Sequence, residues 1–274
     1  MRYTIEIDFS NSLKVIKMKT QNIGFAGAGR ITRIFLARLT EVGAMPEQVI
    51  VFDTDRAASA RLAEAFPRVR VAESLGELSE ASVIFLSLHP PVVMSALAEL
   101  APHLANGSVV VSLAPKVKIS AMAGALPPGT GIVRLLPNAP SIVGKGYNPI
   151  CFAPDSDSEM MNQLMEWLSV FGQTITVTEK DIEAYAAIVA MGSTYFWFQW
   201  KKLVGLAREF GLSDEEAPRA VREMLSGSVE TYFESGLEPD EVIDLVPVKP
   251  LAEKESEIEH FYDEKIKAIY SKIT

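Results

Sequence analysis

The chain has too little cysteine, histidine and positive charge for several classes of protein. Its single cysteine, Cys151, cannot form an intramolecular disulfide, and together with three histidines it leaves little for a soft-metal site. Acidic residues number 35 against 26 lysines and arginines, and the resulting net charge of −9 argues against binding nucleic acid or a membrane surface. No apolar run reaches the roughly 20 residues of a membrane span. These absences favour metal-free chemistry on small molecules in a reducing cytoplasm.

Hydrophobic residues make up 48% of the 274, so the chain can bury a sizeable core in one large domain or two ordinary ones. Residues 1–19 stand apart from the rest. Within them Tyr3, Ile5, Ile7 and Phe9 alternate with polar residues, as in a half-buried strand. No hydrophobic region with a small-residue cleavage site follows, so we interpret residues 1–19 as an N-terminal extension and not as a signal peptide.

The stretch Asn22 to Thr32, NIGFAGAGRIT, has the order of a strand, a glycine turn and the start of a helix. Gly27 permits the tight turn, and Gly29 lacks the Cβ that would keep a pyrophosphate from the backbone. The free N–H groups of the following helix attract phosphate. Thr32 occupies the place of the third fingerprint glycine. We therefore predict a dinucleotide site whose turn is formed by Gly27, Ala28, Gly29, Arg30 and Ile31.

Asp53 follows the predicted second strand, Gln48 to Phe52, at about the 20-residue distance that the fingerprint expects. A carboxylate at this point can accept hydrogen bonds from the 2′-hydroxyl of a ribose, which favours NAD. Arg56 lies three residues further on and can reach a 2′-phosphate, which favours NADP. The sequence leaves both open, with a slight preference for NAD.

Strands alternate with helical segments up to Leu136, a pattern typical of a doubly wound parallel sheet. Ligands of such sheets lie outside the carboxyl ends of the strands. The candidate site residues at these ends, besides Asp53, are Ser87, Leu88, His89, Ala114, Lys116 and Asn138. His89 is predicted to face the cofactor or to be an ordinary turn residue, and Lys116 to neutralise a phosphate or to face water.

Helical periodicity dominates after Val177, so we predict an α/β chain with a Rossmann domain over 20–177 and an all-helical domain over 178–274. Thr178 and Asp181 have the spacing of a capping box that opens one long helix running through Phe210. Its stretch YFWFQW, residues 195–200, is apolar nearly all round and should be buried on more than one side. A partner subunit is the expected cover, which predicts a homodimer or a higher homo-oligomer.

Three motifs resemble those of the pyrroline-5-carboxylate reductase family. The turn IGFAGAGRIT is similar to the family's IGFIGAGNM-type start, with Arg30 in place of the usual asparagine. Ser87 to Pro90 falls where the family has a Val-Lys-Pro-type loop against the cofactor. Most specific is VRLLPNAPSIVGKG, residues 133–146, which looks like the family's VRxMPNxPxxxGxG. The resemblance extends from about Gln21 to about Leu245 and implies NAD(P)H-dependent reduction of a cyclic imine, with a helical domain that pairs two subunits.

The substrate end departs from the family pattern. The family's Ser-Gly-Ser-Gly-Pro-Ala-Tyr turn is replaced by VAMGSTY, residues 189–195, which keeps only the glycine and the tyrosine. The family's Pro-Gly-Gly-Thr-Thr segment, which holds the substrate carboxylate, is replaced by PVKPL, residues 247–251. Lys249, Ser193 and Thr194 are the candidates for replacing the missing donors, and each is equally compatible with an ordinary surface position. Asn138 within the Pro-Asn motif is the fourth candidate on the substrate side.

Three functions follow from these motifs. The first is an imine reductase of the pyrroline-5-carboxylate type, whose reaction needs little acid–base help because the protonated imine already carries its proton. The second is an NAD(P)-dependent reductase of another small imine or keto acid. The third is a nucleotide-binding regulatory protein that has lost catalysis, for which the missing Gly-Gly-Thr-Thr segment argues.

Overall fold

A computed structural model describes residues 22–274. The proposed extension, residues 1–19, lies outside the described residues. The described part contains one eight-stranded sheet with the strand order β3-β2-β1-β4-β5-β6-β7-β8. The strands are β1 (Asn22–Ala26), β2 (Gln48–Phe52), β3 (Val69–Val71), β4 (Val83–Leu86), β5 (Val109–Ser112), β6 (Gly131–Leu135), β7 (Gly146–Phe152) and β8 (Gly172–Thr176).

The sheet is parallel except where β7 runs antiparallel to β6. The central strands β1, β4 and β5 are buried apolar runs, as expected of parallel strands covered on both faces. The doubly wound Rossmann fold is thus confirmed. The sequence did not predict β7, because Gly146, Asn148 and Pro149 interrupt the apolar pattern of a strand.

Helices connect the strands and make up most of the chain after β8. The α-helices of the described part are α1 (Arg30–Glu41), α2 (Arg56–Ala65), α3 (Pro90–Leu100), α4 (Ile119–Ala123), α5 (Ser158–Leu168), α6 (Ile182–Tyr185), α7 (Thr194–Glu209), α8 (Glu216–Glu234), α9 (Pro239–Asp244) and α10 (Glu255–Ile273). No helix of this part of the chain is long and apolar enough to cross a membrane.

An aromatic cluster holds α1 and α5 against the middle of the sheet. Phe35 of α1 stacks on Phe171 at a centroid distance of 4.4 Å, and Trp167 of α5 stacks on Phe85 of β4 at 5.4 Å. Phe25 of β1 stacks on Phe85 at 5.0 Å. Aromatic pairs in such contact add about 0.5–1.5 kcal/mol each beyond the burial of their area. The cluster therefore fixes β1 and α1, and with them the glycine turn that joins the two.

The chain forms two compact units, one reaching to Ala190 and also containing Ile273 and Thr274, the other spanning Met191–Lys272. The division lies after Ala190, later than the boundary expected near Val177. The physical reason is a buried ion-pair network, because Glu179 and Glu183 both bond the guanidinium of Arg134 in β6. Residues just after Val177 are thereby tied to the sheet.

The single long helix expected between Thr178 and Phe210 is interrupted. After α6 the backbone widens into a π-helix over Ala186–Ala190, and residues 191–193 form a turn before α7. Thr178 does donate to Asp181, with its Oγ1 2.6 Å from Oδ2. The pair opens a short 3₁₀ helix, Glu179–Asp181, instead of a long α-helix. The interruption falls on the VAMGSTY stretch where the chain departs from the family motif.

Candidate nucleotide site

Gly27 forms a turn that no other residue type can make here. Its φ is +107°, a left-handed conformation, and its N–H donates to the Phe52 carbonyl oxygen at 2.7 Å. A Cβ on Gly27 would lie 2.4 Å from the carbonyl oxygen of Ser87. The glycine therefore lets the carboxyl ends of β1, β2 and β4 meet.

Thr32 does not act as the missing third glycine but holds the turn in another way. It is fully buried, and its hydroxyl donates to the Gly27 carbonyl oxygen at 2.7 Å. The sequence pattern had marked Thr32 only as a departure. Its hydroxyl gives the Gly27 carbonyl oxygen a hydrogen-bond partner and thereby stabilises the turn.

Gly29 leaves open space at the start of α1. It is the N-cap residue of α1, no side chain caps the helix, and an added Cβ would meet nothing within 4 Å. The first-turn N–H groups and the positive end of the helix dipole are therefore available to an anion. This arrangement fits the pyrophosphate of a dinucleotide, with Arg30 and Ile31 at the first helical positions.

A cavity of about 880 Å³ opens at this turn. Seven of the predicted cofactor residues line it: Ala28, Gly29, Arg30, Ile31, Ser87, Leu88 and His89. The structure brings these residues together from the ends of β1 and β4, as predicted for a doubly wound sheet. Ala114 is buried and does not line the cavity, although its neighbour Leu113 does.

Ser87 carries a polar atom in need of a partner. Its N–H donates to the Ala26 carbonyl oxygen at 2.8 Å, but its Oγ is buried and without a hydrogen-bond partner. A buried hydroxyl of this kind is costly unless something bonds it. Ser87 lines the cavity, but its Oγ has to rotate toward the cavity before it can bond a bound nucleotide.

Asp53 points back at the glycine turn. Its Oδ2 accepts the Ala28 N–H at 2.7 Å, and its Oδ1 accepts the Asp55 N–H at 2.8 Å. Arg56 is engaged elsewhere, because its guanidinium donates to the carbonyl oxygens of Ala72 and Glu73 and forms an ion pair with the Glu73 carboxylate. Neither Asp53 nor Arg56 lines the cavity.

Lys116 lies in a strained loop after β5. Its φ of +72° makes it the only non-glycine residue with positive φ in residues 22–274. The Glu183 carboxylate accepts the Lys116 N–H at 3.1 Å, and the Glu179 carboxylate accepts the Ile119 N–H at 2.6 Å. Strain of this kind costs about 1–3 kcal/mol and persists only where surrounding contacts impose it.

The Arg134 network behind this loop was missed from the sequence. Arg134 is 1% exposed, and its side chain forms ion pairs with Glu179 and Glu183. The one available signal was an arginine in the middle of an apolar strand. Cys151 lies opposite Arg134 on β7, and burial raises the pKa of its thiol, which disfavours the thiolate form.

Asn138 is buried in a polar network. Its Oδ1 accepts the Tyr147 N–H at 3.1 Å, and its own N–H donates to Asn148 Oδ1 at 3.2 Å. Ser141 adds a hydroxyl donor to the same Asn148 oxygen at 3.0 Å. The carbonyl end of Asn138 thus braces the loop between β6 and β7.

The other predicted substrate-side residues belong to the second unit. Ser193 is the N-cap residue of α7, but its side chain makes no capping hydrogen bond. The Thr194 hydroxyl donates to the Met191 carbonyl oxygen at 2.6 Å. Lys249 is exposed in the loop after α9, and its carbonyl oxygen accepts the Ala252 N–H at 3.1 Å. Their substrate role stays a prediction.

Comparisons with known proteins agree with this architecture. Residues 22–116 match the family model described as NADP oxidoreductase coenzyme F420-dependent. The chain is 27% identical over 223 residues to pyrroline-5-carboxylate reductase of Corynebacterium melassecola, covering 80% of this chain and 83% of that protein. It is 26% identical over 227 residues to the Pseudomonas aeruginosa enzyme, covering 82% and 83%. The Plasmodium falciparum pyrroline carboxylate reductase with NADP bound superposes with a TM-score of 0.76 at 19% identity, over 92% of this chain and 96% of that one.

The Rossmann domain and its open glycine turn define an NAD(P)-dependent oxidoreductase. The chain is similar to pyrroline-5-carboxylate reductases over about four fifths of its length. The two substrate-side segments, 189–195 and 247–251, depart from the motifs of that family, whereas the cofactor turn resembles the family's turn.

Proposed function

We propose that this protein reduces the C=N bond of a small cyclic imine carboxylate of the pyrroline-5-carboxylate type. The observation that carries the proposal is the similarity to pyrroline-5-carboxylate reductases over 80% of this chain, which spans both units and not the nucleotide half alone. NAD(P)H supplies the hydride when bound.

The residues of the chain serve this reaction mainly by binding and positioning. The amide groups at Gly29 and Arg30 would hold the pyrophosphate, and Ser87 Oγ, once rotated toward the cavity, would bond the nucleotide. The loop of Lys116 follows β5 and is held by the Glu183 carboxylate. No general acid is needed at the imine nitrogen because the iminium arrives protonated, so orientation of the hydride donor and the electrophilic carbon is the main requirement.

An anionic substrate needs its carboxylate held. Moving an ionised carboxylate from water into a closed site costs several kcal/mol unless hydrogen bonds or a charge compensate. In place of the absent Gly-Gly-Thr-Thr segment we assign this duty to Lys249, with a hydroxyl donor from Ser193. Thr194 can add a second donor only if its hydroxyl releases the Met191 carbonyl oxygen. Asn138 of the first unit stays a separate candidate for contact with the substrate.

We also propose that the protein is a homodimer, or a higher homo-oligomer, formed through its helical unit. Within 191–272 only Ala217 is fully buried, although the unit is rich in large apolar side chains. Phe198 is 68% exposed, and Trp197 and Phe196 are each 45% exposed. Apolar surface on this scale marks an interface in stable proteins.

The single cysteine and the absence of disulfides in the described residues support a reducing cytoplasm as the compartment.

An anaerobic assay of NAD(P)H oxidation tests the activity. Purified protein is mixed with pyrroline-5-carboxylate, pyrroline-2-carboxylate, related ketimines and a panel of keto acids. We expect turnover with a cyclic imine carboxylate and little with keto acids. Turnover with keto acids alone would instead identify the protein as a carbonyl reductase. If no compound is reduced although nucleotide binds, the protein is a nucleotide-binding module without this catalysis.

A further inference from the structure

The cavity at the glycine turn is basic on one side. Arg30 and Arg33 of α1 and Arg61 of α2 all line it, against one acidic residue, Glu64. All three arginines have exposed side chains. Arg61 has one further acidic neighbour, Asp55, whose Oδ2 lies 3.7 Å from Arg61 Nη2, and exposed pairs of this length contribute little.

The topology places these arginines on the adenosine side of the turn. The strand order β3-β2-β1 with right-handed crossovers puts α1 and α2 side by side on one face of the sheet. The groove between them ends at the carboxyl edge of β1 and β2. In dinucleotide-binding sheets the adenosine ribose lies at the end of the second strand.

Asp53 and Arg56, the two residues that the sequence pattern assigns to the 2′ position of the ribose, both bond other groups of the protein. Both oxygens of Asp53 accept backbone N–H groups of the turn and of the loop after β2. Asp53 Oδ2 thereby orients the Ala28 amide, and the carboxylate stabilises the turn. Arg56 is bonded to Ala72 and Glu73, away from the cavity.

We propose that the protein selects NADPH over NADH. Arg61, together with Arg30 and Arg33, recognises the 2′-phosphate. Asp53 instead stabilises the glycine turn by accepting the Ala28 N–H. The inference rests on the proposed dinucleotide-dependent function. Guanidinium groups suit this role because their planar donors bond phosphate oxygens in pairs. Three arginines in one groove also favour a dianionic group over a neutral hydroxyl.

Binding measurements test the proposal without any turnover. Dissociation constants for NADPH and NADH are measured by nucleotide fluorescence, and those for 2′,5′-ADP and 5′-ADP by calorimetry. We expect the wild type to bind NADPH and 2′,5′-ADP at least about tenfold more tightly than their partners without the 2′-phosphate, as charge-assisted hydrogen bonds predict. Equal affinities, or a preference for NADH, would overturn the proposal.

Single variants locate the recognition. Arg61→Ala and Arg33→Ala should each weaken NADPH about tenfold and leave NADH unchanged, and the retained NADH affinity shows that the variant is folded. Arg219→Ala, an exposed arginine of the second unit, is the charge-matched control. If Arg56→Ala selectively weakens NADPH while Arg61→Ala does not, the assignment to Arg61 is overturned.

The Asp53→Ala variant distinguishes two roles of Asp53, support of the glycine turn and recognition of the ribose. If Asp53 supports the turn, NADH and NADPH should lose affinity by a similar factor, because the Ala28 amide is no longer oriented. A gain of NADPH affinity with a loss of NADH affinity would instead show that Asp53 faces the 2′ position. If the wild type binds neither nucleotide, the proposed function itself fails, an outcome distinct from equal binding.

Discussion

The nucleotide unit and the helical unit differ in how much of themselves they bury. The first packs an aromatic cluster under its glycine turn, and its central strands are fully buried. The second, Met191–Lys272, leaves aromatic and aliphatic side chains of α7 and α8 exposed. The contrast shows that the first unit buries a core of its own, whereas the second leaves most of its apolar side chains exposed within the described residues. The motifs follow the same division, because the cofactor turn keeps the family form and the substrate segments do not.

The largest expected effect on ligand binding is at the cofactor turn. Gly29→Val places a branched side chain in the open space before α1, where the pyrophosphate needs to approach. We expect nucleotide affinity to fall by about a hundredfold or more, since the mutation removes access to several charge-assisted hydrogen bonds. The melting temperature should change little, because an added Cβ there meets nothing within 4 Å.

Gly27→Val is the contrasting variant at the same turn. Its Cβ would lie 2.4 Å from the Ser87 carbonyl oxygen on a backbone with φ +107°, so the fold itself should be destabilised. Unchanged nucleotide affinity in a folded Gly29→Val protein would disprove the assignment of the turn.

The buried network of the first unit is the next test. Arg134→Met leaves Glu183 buried without its guanidinium, and breaking such a pair costs about 3–5 kcal/mol. Denaturant unfolding measures the loss. Lys254→Met, which removes an exposed pair with Glu257, is the control and should cost no more than about 0.5 kcal/mol. Equal small losses would mean that the network does not tie residues 179–183 to the sheet.

The exposed aromatic face of the helical unit should control association. Phe198→Asp replaces a largely exposed aromatic by a charge, and we expect it to weaken subunit association by about 2 kcal/mol or more. Sedimentation at several concentrations gives the dissociation constant. Glu230→Asp on α8 keeps the charge and serves as control. A well-folded wild-type monomer at micromolar concentration would refute the proposed dimer.

The smallest expected effect concerns the substituted loop. Lys249→Met removes the proposed partner of the substrate carboxylate, and KM for a carboxylate-bearing imine should rise about tenfold, the equivalent of one charge-assisted hydrogen bond. Nucleotide affinity should stay the same. Lys265→Met, an exposed lysine of α10, is the matched control. An unchanged KM would mean that Lys249 is an ordinary surface residue and that other groups bind the substrate carboxylate.

Several elements could be predicted because their signals are local. Strands β1, β2, β4 and β5 are short apolar runs next to turn residues. Strand β7 was missed because its pairing with β6 and β8 outweighs the poor strand propensity of Gly146 and Pro149. The interruption before α7 has a local signal in Gly192 and Ser193, a pair at which helices often kink, but the helical periodicity on both sides outweighed that signal in the prediction.

The sequence by itself determined the glycine turn, since φ at Gly27 and the free helix start at Gly29 depend on residues close together in the chain. Only the tertiary structure decided the partners of the charged groups. Asp53 accepts the Ala28 N–H, and Arg56 donates to the carbonyl oxygens after β3. Arg134 forms ion pairs with two carboxylates far along the chain. The physical reason is that backbone conformation is a local property, whereas a buried or half-buried charge takes whichever partner the packing brings within reach.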